Sequence, residues 1–144
     1  MSYTNVQTAL NQYRTVGVQS TILDATPHRL IQMLMEGMLD RLHSAKGCMA
    51  QGKMAEKGKL IGAAISIVEG LRASLDMNAG GEIASNLDAL YEYMNRRLFE
   101  ANVKNDGEAV DEVANLMAEI KAGWDAIPEQ LRSMPQRSEA RIGA

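Results

Sequence analysis

The stretch HRLIQMLMEGMLDRL, His28–Leu42, decides the fold class. Leu30, Leu34, Met38 and Leu42 recur every four residues, and Ala45 and Met49 continue the row. Ile31, Met35 and Leu39 form a second row beside it. Together the two rows cover about half of a helix circumference, wider than the ~100° stripe of an ordinary surface helix. Thr26 is a good N-cap, and Pro27 is pre-organised for the first helical position. The spacing therefore predicts a helix over 27–50. Three methionines, Met33, Met35 and Met38, fall within six residues of it. Methionine is flexible and polarizable, so it fills irregular gaps and also re-packs against varied partners. Leu34 and Met38 read as core, Met35 as a place where core meets groove, and Met33 as surface.

Working outward, the same period recurs three times. Gly52 breaks the pattern, and a helix is predicted over 53–76 with Leu60, Ala64, Val68, Leu71 and Leu75 inward and Ile61 and Ile65 on the flanks. Gly58, Gly62 and Gly70 each cost about 1 kcal/mol relative to alanine in a helix interior, which close approach to a neighbouring helix would explain. MNAGGE, 77–82, reads as a stop. A third long helix starts near Glu82 with Ile83, Leu87, Leu90, Met94, Leu98 and Ala101 on one face; Tyr93 and Phe99 fall outside that face. Asn105 and Glu108 resemble a capping box. The last helix presents Val110, Val113, Leu116 or Met117, Ile120, Trp124, Ile127 and Leu131, with Pro128 able to kink it or end it early. Before the four long segments, Val6, Leu10 and Tyr13 give a short amphipathic stretch, joined by a loose linker containing Gly17. With short connections between long helices, the expected fold is all-α: an antiparallel up-down four-helix bundle with a short N-terminal helix or cap segment. The expected organisation is a single bundle domain over 1–134, with cap and linker in 1–25, and a polar, disordered tail over 135–144.

Composition excludes several function classes. The 144 residues are 46% hydrophobic and 23% charged with a net charge of −3, so neither a nucleic-acid binder nor a membrane-spanning chain is expected. The N-terminus shows no secretory signal, and the lone Cys48 has no internal disulfide partner, which fits a reducing cytoplasm. The enzyme reading is poor. Asp40-Arg41-Leu42-His43 is a single carboxylate-x-x-His, whereas a di-iron bundle needs two Glu-x-x-His motifs and two further carboxylates. No metal site, cofactor or catalytic residue is expected. Cys48 reads as a buried structural thiol, Gly80-Gly81 as a tight turn, and Trp124 as a packing residue on its core stripe. Tyr91 reads as a buried edge whose hydroxyl reaches water. Met33, Tyr93 and Phe99 are apolar residues on otherwise polar faces; with the broad arc of the 27–50 helix they suggest grooves left open for a partner helix.

ATPHRLIQML, 25–34, and LDMNAGGEIASNLDALYEYMNRRLFEAN, 75–102, resemble the signature segments of the bacterial flagellin export chaperone family, and GWDAIP and YRTVGVQ also fit. The resemblance spans about residues 3–131. It implies a cytoplasmic bundle that binds the C-terminal segment of flagellin, prevents premature polymerisation and escorts it to a component of the flagellar type III export gate. It also implies that the segment around Tyr13 lies near the binding surface as a movable cap. One departure stands out: Met35-Glu36-Gly37-Met38 replaces the aromatic, acid, Gly, Ala common in the family, which predicts a softer groove floor. The residues expected to touch flagellin are Tyr13, Ile31, Met33, Met35, Ile61, Ile65, Tyr93 and Phe99. The rival readings are a regulatory module holding another flagellar protein such as an anti-sigma factor or a filament-cap protein, a metal-dependent bundle enzyme, and a structural homodimer.

Overall fold

The structure, a computed structural model, describes residues 25–128. The expected cap around Val6, Leu10 and Tyr13 and the expected tail over 135–144 lie outside the described residues. Four helices follow one another: α1 (Pro27–Gln51), α2 (Met54–Ala73), α3 (Met77–Lys104) and α4 (Gly107–Asp125). Among the described residues there is no strand.

Local chemistry sets most of the boundaries. The Thr26 hydroxyl accepts from the Arg29 N–H, Pro27 opens α1, and Gly52 closes it in the left-handed region at φ 73°. The Asp76 carboxylate caps α3 by accepting from the N–H groups of Asn78 and Ala79. The expected stop at MNAGGE is thus a helical turn followed by a break at Gly81, whose φ of 55° and ψ of −129° leave the helical region. Gly80 allows the turn to fold close: a Cβ there would lie 2.6 Å from the Ala84 methyl. The expected Asn105 capping box is also corrected. Asn105 ends α3 at φ 55°, and Asp106 caps α4 by accepting from Glu108 and Ala109 N–H. A shorter acid at the adjacent position reaches the free amides, and asparagine tolerates the left-handed turn before it. α4 ends three residues before Pro128, so Ile127 falls beyond it and Leu131 lies outside the described residues.

Long-range contacts fix the topology. His28 pairs with Trp124 and Lys46 with Asp111, so α4 runs antiparallel to α1. Lys57 reaches Asn102 and Arg72 pairs with Asp88, so α3 runs antiparallel to α2. Each helix packs on its two neighbours, α1 on α2 and α4 and α3 on α2 and α4, in an up-down ring. Leu34, Met38, Leu42, Ile61, Val68, Leu71, Met94, Leu98, Val113 and Met117 fill the centre. The wide apolar arc of α1 is spent on two neighbours at once. Met35 and Met38 are core, and Met33 is half-buried against that core.

Among the described residues two polar or charged side chains, His28 and Lys57, are buried. Lys57 sends its ammonium to the Asn102 carbonyl at 2.9 Å and to Asn105 Oδ1, which places a cation on the negative C-terminal end of α3. The expected close helix approach is absent at Gly62, where an added Cβ would meet nothing within 4 Å; at Gly58 it would meet only Asn102 Oδ1 at 3.9 Å. Gly70 is buried.

Candidate functional site

The α3–α4 pair carries the feature that sets this bundle apart from a closed one. Tyr93 O–H and Arg97 both bond the Glu112 carboxylate, and Arg97 also pairs with Glu100. This network fixes the register of the two helices. The hydrogen bond from Tyr93, followed by those from Arg97, holds the Glu112 carboxyl below the ordinary carboxylate range. Below this contact, where Leu98 and Ala101 meet Ala109, Val110 and Val113, the seam is sealed. Above it Tyr91, Ala114 and Met117 are still buried, but the apolar residues beside them are only partly covered.

Equal steps along both helices from Glu112 bring Leu90 level with Leu116, Leu87 with Ile120, and Ile83 with Trp124. All six continue the inward stripes of their helices. Yet Leu87, Leu90, Leu116, Ile120 and Trp124 are only half-buried, and Ile83 is 73% exposed. Ile83 lies just after the break at Gly81, level with the last turn of α4, where the bundle ends. Met77, 48% exposed, and half-buried Leu75 and Ile127 extend the apolar surface around that end of the bundle. The result is a partly exposed apolar strip, the candidate groove, roughly three turns long, at the end where α1 begins and α4 ends. Its shape suits an amphipathic helix presenting side chains at i, i+3, i+4 and i+7.

The eight residues expected from the sequence distribute differently. Ile31 (8% exposed), Met35 (1%) and Ile61 (0%) lie inside the core, so none of them presents a surface to a partner in this structure. Their flanking rows are used by the α1–α2 and α1–α4 seams. Met33 and Ile65 are half-buried against the core. Tyr93 is half-buried and engaged with Glu112 at the foot of the groove, with Arg96 over its ring at 5.4 Å. Phe99 is 65% exposed on the outer face of α3, near Val103 and away from the groove. Tyr13 lies outside the described residues. The groove residues Ile83, Leu87, Leu90 and Ile120 were legible as stripe members, but the pattern carried no sign that their stripe is uncovered. Tyr91, expected at an edge, is 3% exposed, and burial pushes its phenol up to about 12.

Groups that carry chemistry are dispersed. Asp40 and His43 are both exposed, Cys48 is half-buried, and among the described residues no three His, Cys, Asp or Glu side chains converge on a metal position. A shallow depression between α1 and α2 is lined by Asp40, Arg41, Ser44, Lys59, Leu60 and Ala63, with no nucleophile–base pair. No described helix is long and apolar enough to cross a membrane.

Comparison with known proteins agrees with this geometry. The family model described as flagellar protein FliS matches residues 9–131. Flagellar secretion chaperone FliSB of Pseudomonas aeruginosa is 54% identical over 119 residues, covering 83% of this chain and 94% of that protein. Flagellar secretion chaperone FliS of Vibrio cholerae is 41% identical over 88% of this chain and 93% of its own length, and that of Salmonella typhimurium 43% identical over 82% and 88%. This chain belongs to the flagellar protein FliS family, with the role of a flagellar export chaperone.

Proposed function

We propose that the protein works in the cytosol and holds the C-terminal segment of flagellin as an amphipathic helix in the α3–α4 groove. The observation that carries this reading is the uncovered upper half of the seam, from Leu90 and Leu116 to Ile83 and Trp124. A flagellin terminus that later coils against neighbouring subunits has an apolar face with nowhere to go before assembly. The groove offers that face a temporary cover and so blocks polymerisation. The cargo segment orders on binding, and the entropy lost offsets part of the contact energy. Binding is thereby strong enough to hold and weak enough to hand over to a component of the type III export gate. The action is stoichiometric and without catalysis.

The deciding experiment is co-purification with full-length flagellin and with flagellin lacking its C-terminal segment. Retention of only the full-length form supports the reading. Equal retention of both, or full retention by a folded Leu87→Lys/Ile120→Lys variant, refutes it.

A further inference from the structure

Trp124, the one tryptophan of the chain, stands at the upper end of the groove and packs by one side on the core, with its side-chain hydrogen bond and ring stacking both made to His28, 96 positions away. His28 Nε2–H donates to the Trp124 carbonyl at 2.7 Å. The Trp124 indole N–H donates back to the His28 carbonyl at 2.9 Å. The two rings are stacked, 6° apart in plane with centroids at 4.9 Å. His28 is 5% exposed, one of only two polar side chains buried among the described residues. The imidazole therefore fixes the indole by its face while the reciprocal hydrogen bonds fix both backbones.

We propose that His28 is a positioning residue for cargo binding: it acts through Trp124, presenting the indole as a preset wall of the groove. The inference rests on the α3–α4 groove being the cargo site. Trp124 lies in the last turn of α4, one turn beyond Ile120 and level with Ile83. Helix ends fray, and after Asp125 closes the helix only three described residues follow, Ala126 and Ile127 in a turn and then Pro128. The Trp124 carbonyl accepts from Ile127 N–H as well, so His28 ties down the turn as well as the ring. Gln32 and Lys121 bond the neighbouring Asp125, which fixes the same turn from the α1 side without touching the indole. A wall ordered in advance removes a side-chain ordering cost from the binding step, so its loss should weaken binding about three- to tenfold.

The test is a double-mutant cycle on the full-length chain, with a synthetic peptide of the flagellin C-terminal segment as probe. His28→Ala, Trp124→Ala, the double variant and Ile83→Ala are compared for peptide affinity, helix content and melting temperature. Fluorescence anisotropy and near-ultraviolet circular dichroism report the indole directly in the variants that keep it. The expected result for His28→Ala is native helix content, a mobile indole and binding weakened about three- to tenfold. In the Trp124→Ala background the same change should have no further effect, because its route is gone. Unchanged affinity in His28→Ala, or full additivity with Trp124→Ala, overturns the proposal. Should His28→Ala fail to fold, His28→Gln retains an N–H donor without the ring and is held to the same two criteria. If Ile83→Ala also leaves affinity unchanged, the groove reading itself fails; if Ile83→Ala weakens binding and the His28 variants do not, only the role of His28 is refuted.

Discussion

Ile83→Ala is the perturbation that best separates cargo binding from folding. Burying an isoleucine side chain fully is worth about 1.5–3 kcal/mol. Ile83 is 73% exposed, so folding of the bundle has collected only about a quarter of that. Its loss should cost under about 1 kcal/mol of stability, reduced further by the better helix propensity of alanine. The remaining three quarters, about 1–2 kcal/mol, is still available to a partner that covers the residue. Its removal should weaken cargo binding roughly five- to thirtyfold. Leu98→Ala is the matched control. Leu98 occupies the same stripe of α3 at 0% exposure, and truncation there should cost about 2–5 kcal/mol of stability through transfer and cavity terms. Both variants should be measured by urea unfolding and by titration with the flagellin C-terminal peptide under conditions where each is folded. A folded Ile83→Ala variant with wild-type affinity refutes the placement of cargo over the upper seam. A stability loss at Ile83 as large as at Leu98 refutes its exposure in the free protein.

Three further outcomes test the frame that carries the groove. Gly62→Ala should raise stability by about 0.5–1 kcal/mol, because the added methyl meets nothing within 4 Å, whereas Gly81→Ala should lower it, because φ there is 55°; thermal melts decide both. Asp106→Ala removes the α4 cap and should cost about 0.5–2 kcal/mol, read by chemical denaturation. Asp88, Glu112 and Asp125 have carboxyls lowered in the folded state by hydrogen bonds from Arg72, from Tyr93 and Arg97, and from Lys121. Their contribution to stability is therefore full above about pH 5 and is lost as pH falls through the lowered values. Tyr93→Phe should raise the Glu112 titration midpoint, followed by carbon NMR of its carboxyl; an unmoved midpoint refutes the Tyr93 hydrogen bond as the main cause.

The repeat of apolar residues at three and four was enough to place the helices and the inward face of each. Leu30, Leu34, Met38, Leu42 and Ala45 are buried as their spacing requires. Side-chain chemistry next to the breaks located most ends to within a few residues. The errors fell where two readings of one short motif compete: Asn105 and Asp106 can both cap, and only backbone geometry assigns the left-handed turn to the first and the cap to the second. The binding site was harder to see for a different reason. Periodicity reports which face of a helix is apolar and says nothing of whether a neighbour reaches it. Ile61 and Ile83 look alike in the sequence; one is 0% and the other 73% exposed. Ile61 lies well inside α2, whereas Ile83 lies just after the Gly81 break at one end of the bundle.

That position at one end also reconciles a stable bundle with the proposed cargo surface. A groove cut through the middle of four helices would sacrifice central packing, where each lost contact costs most. Here the centre is sealed from Met94 and Met117 to Ala101 and Ala109, and the seam opens only toward one end. The half-buried residues there still pack on the core by one side, so the free protein keeps part of their burial energy. In the proposed complex the cargo would supply the rest. Two polar joints flank this surface without covering it: Tyr93 and Arg97 with Glu112 tie α3 to α4 at its foot, and His28 with Trp124 ties α1 to α4 at its mouth. Polar joints suit this task better than apolar ones, since their geometry is directional and they do not compete for the apolar face of the incoming helix.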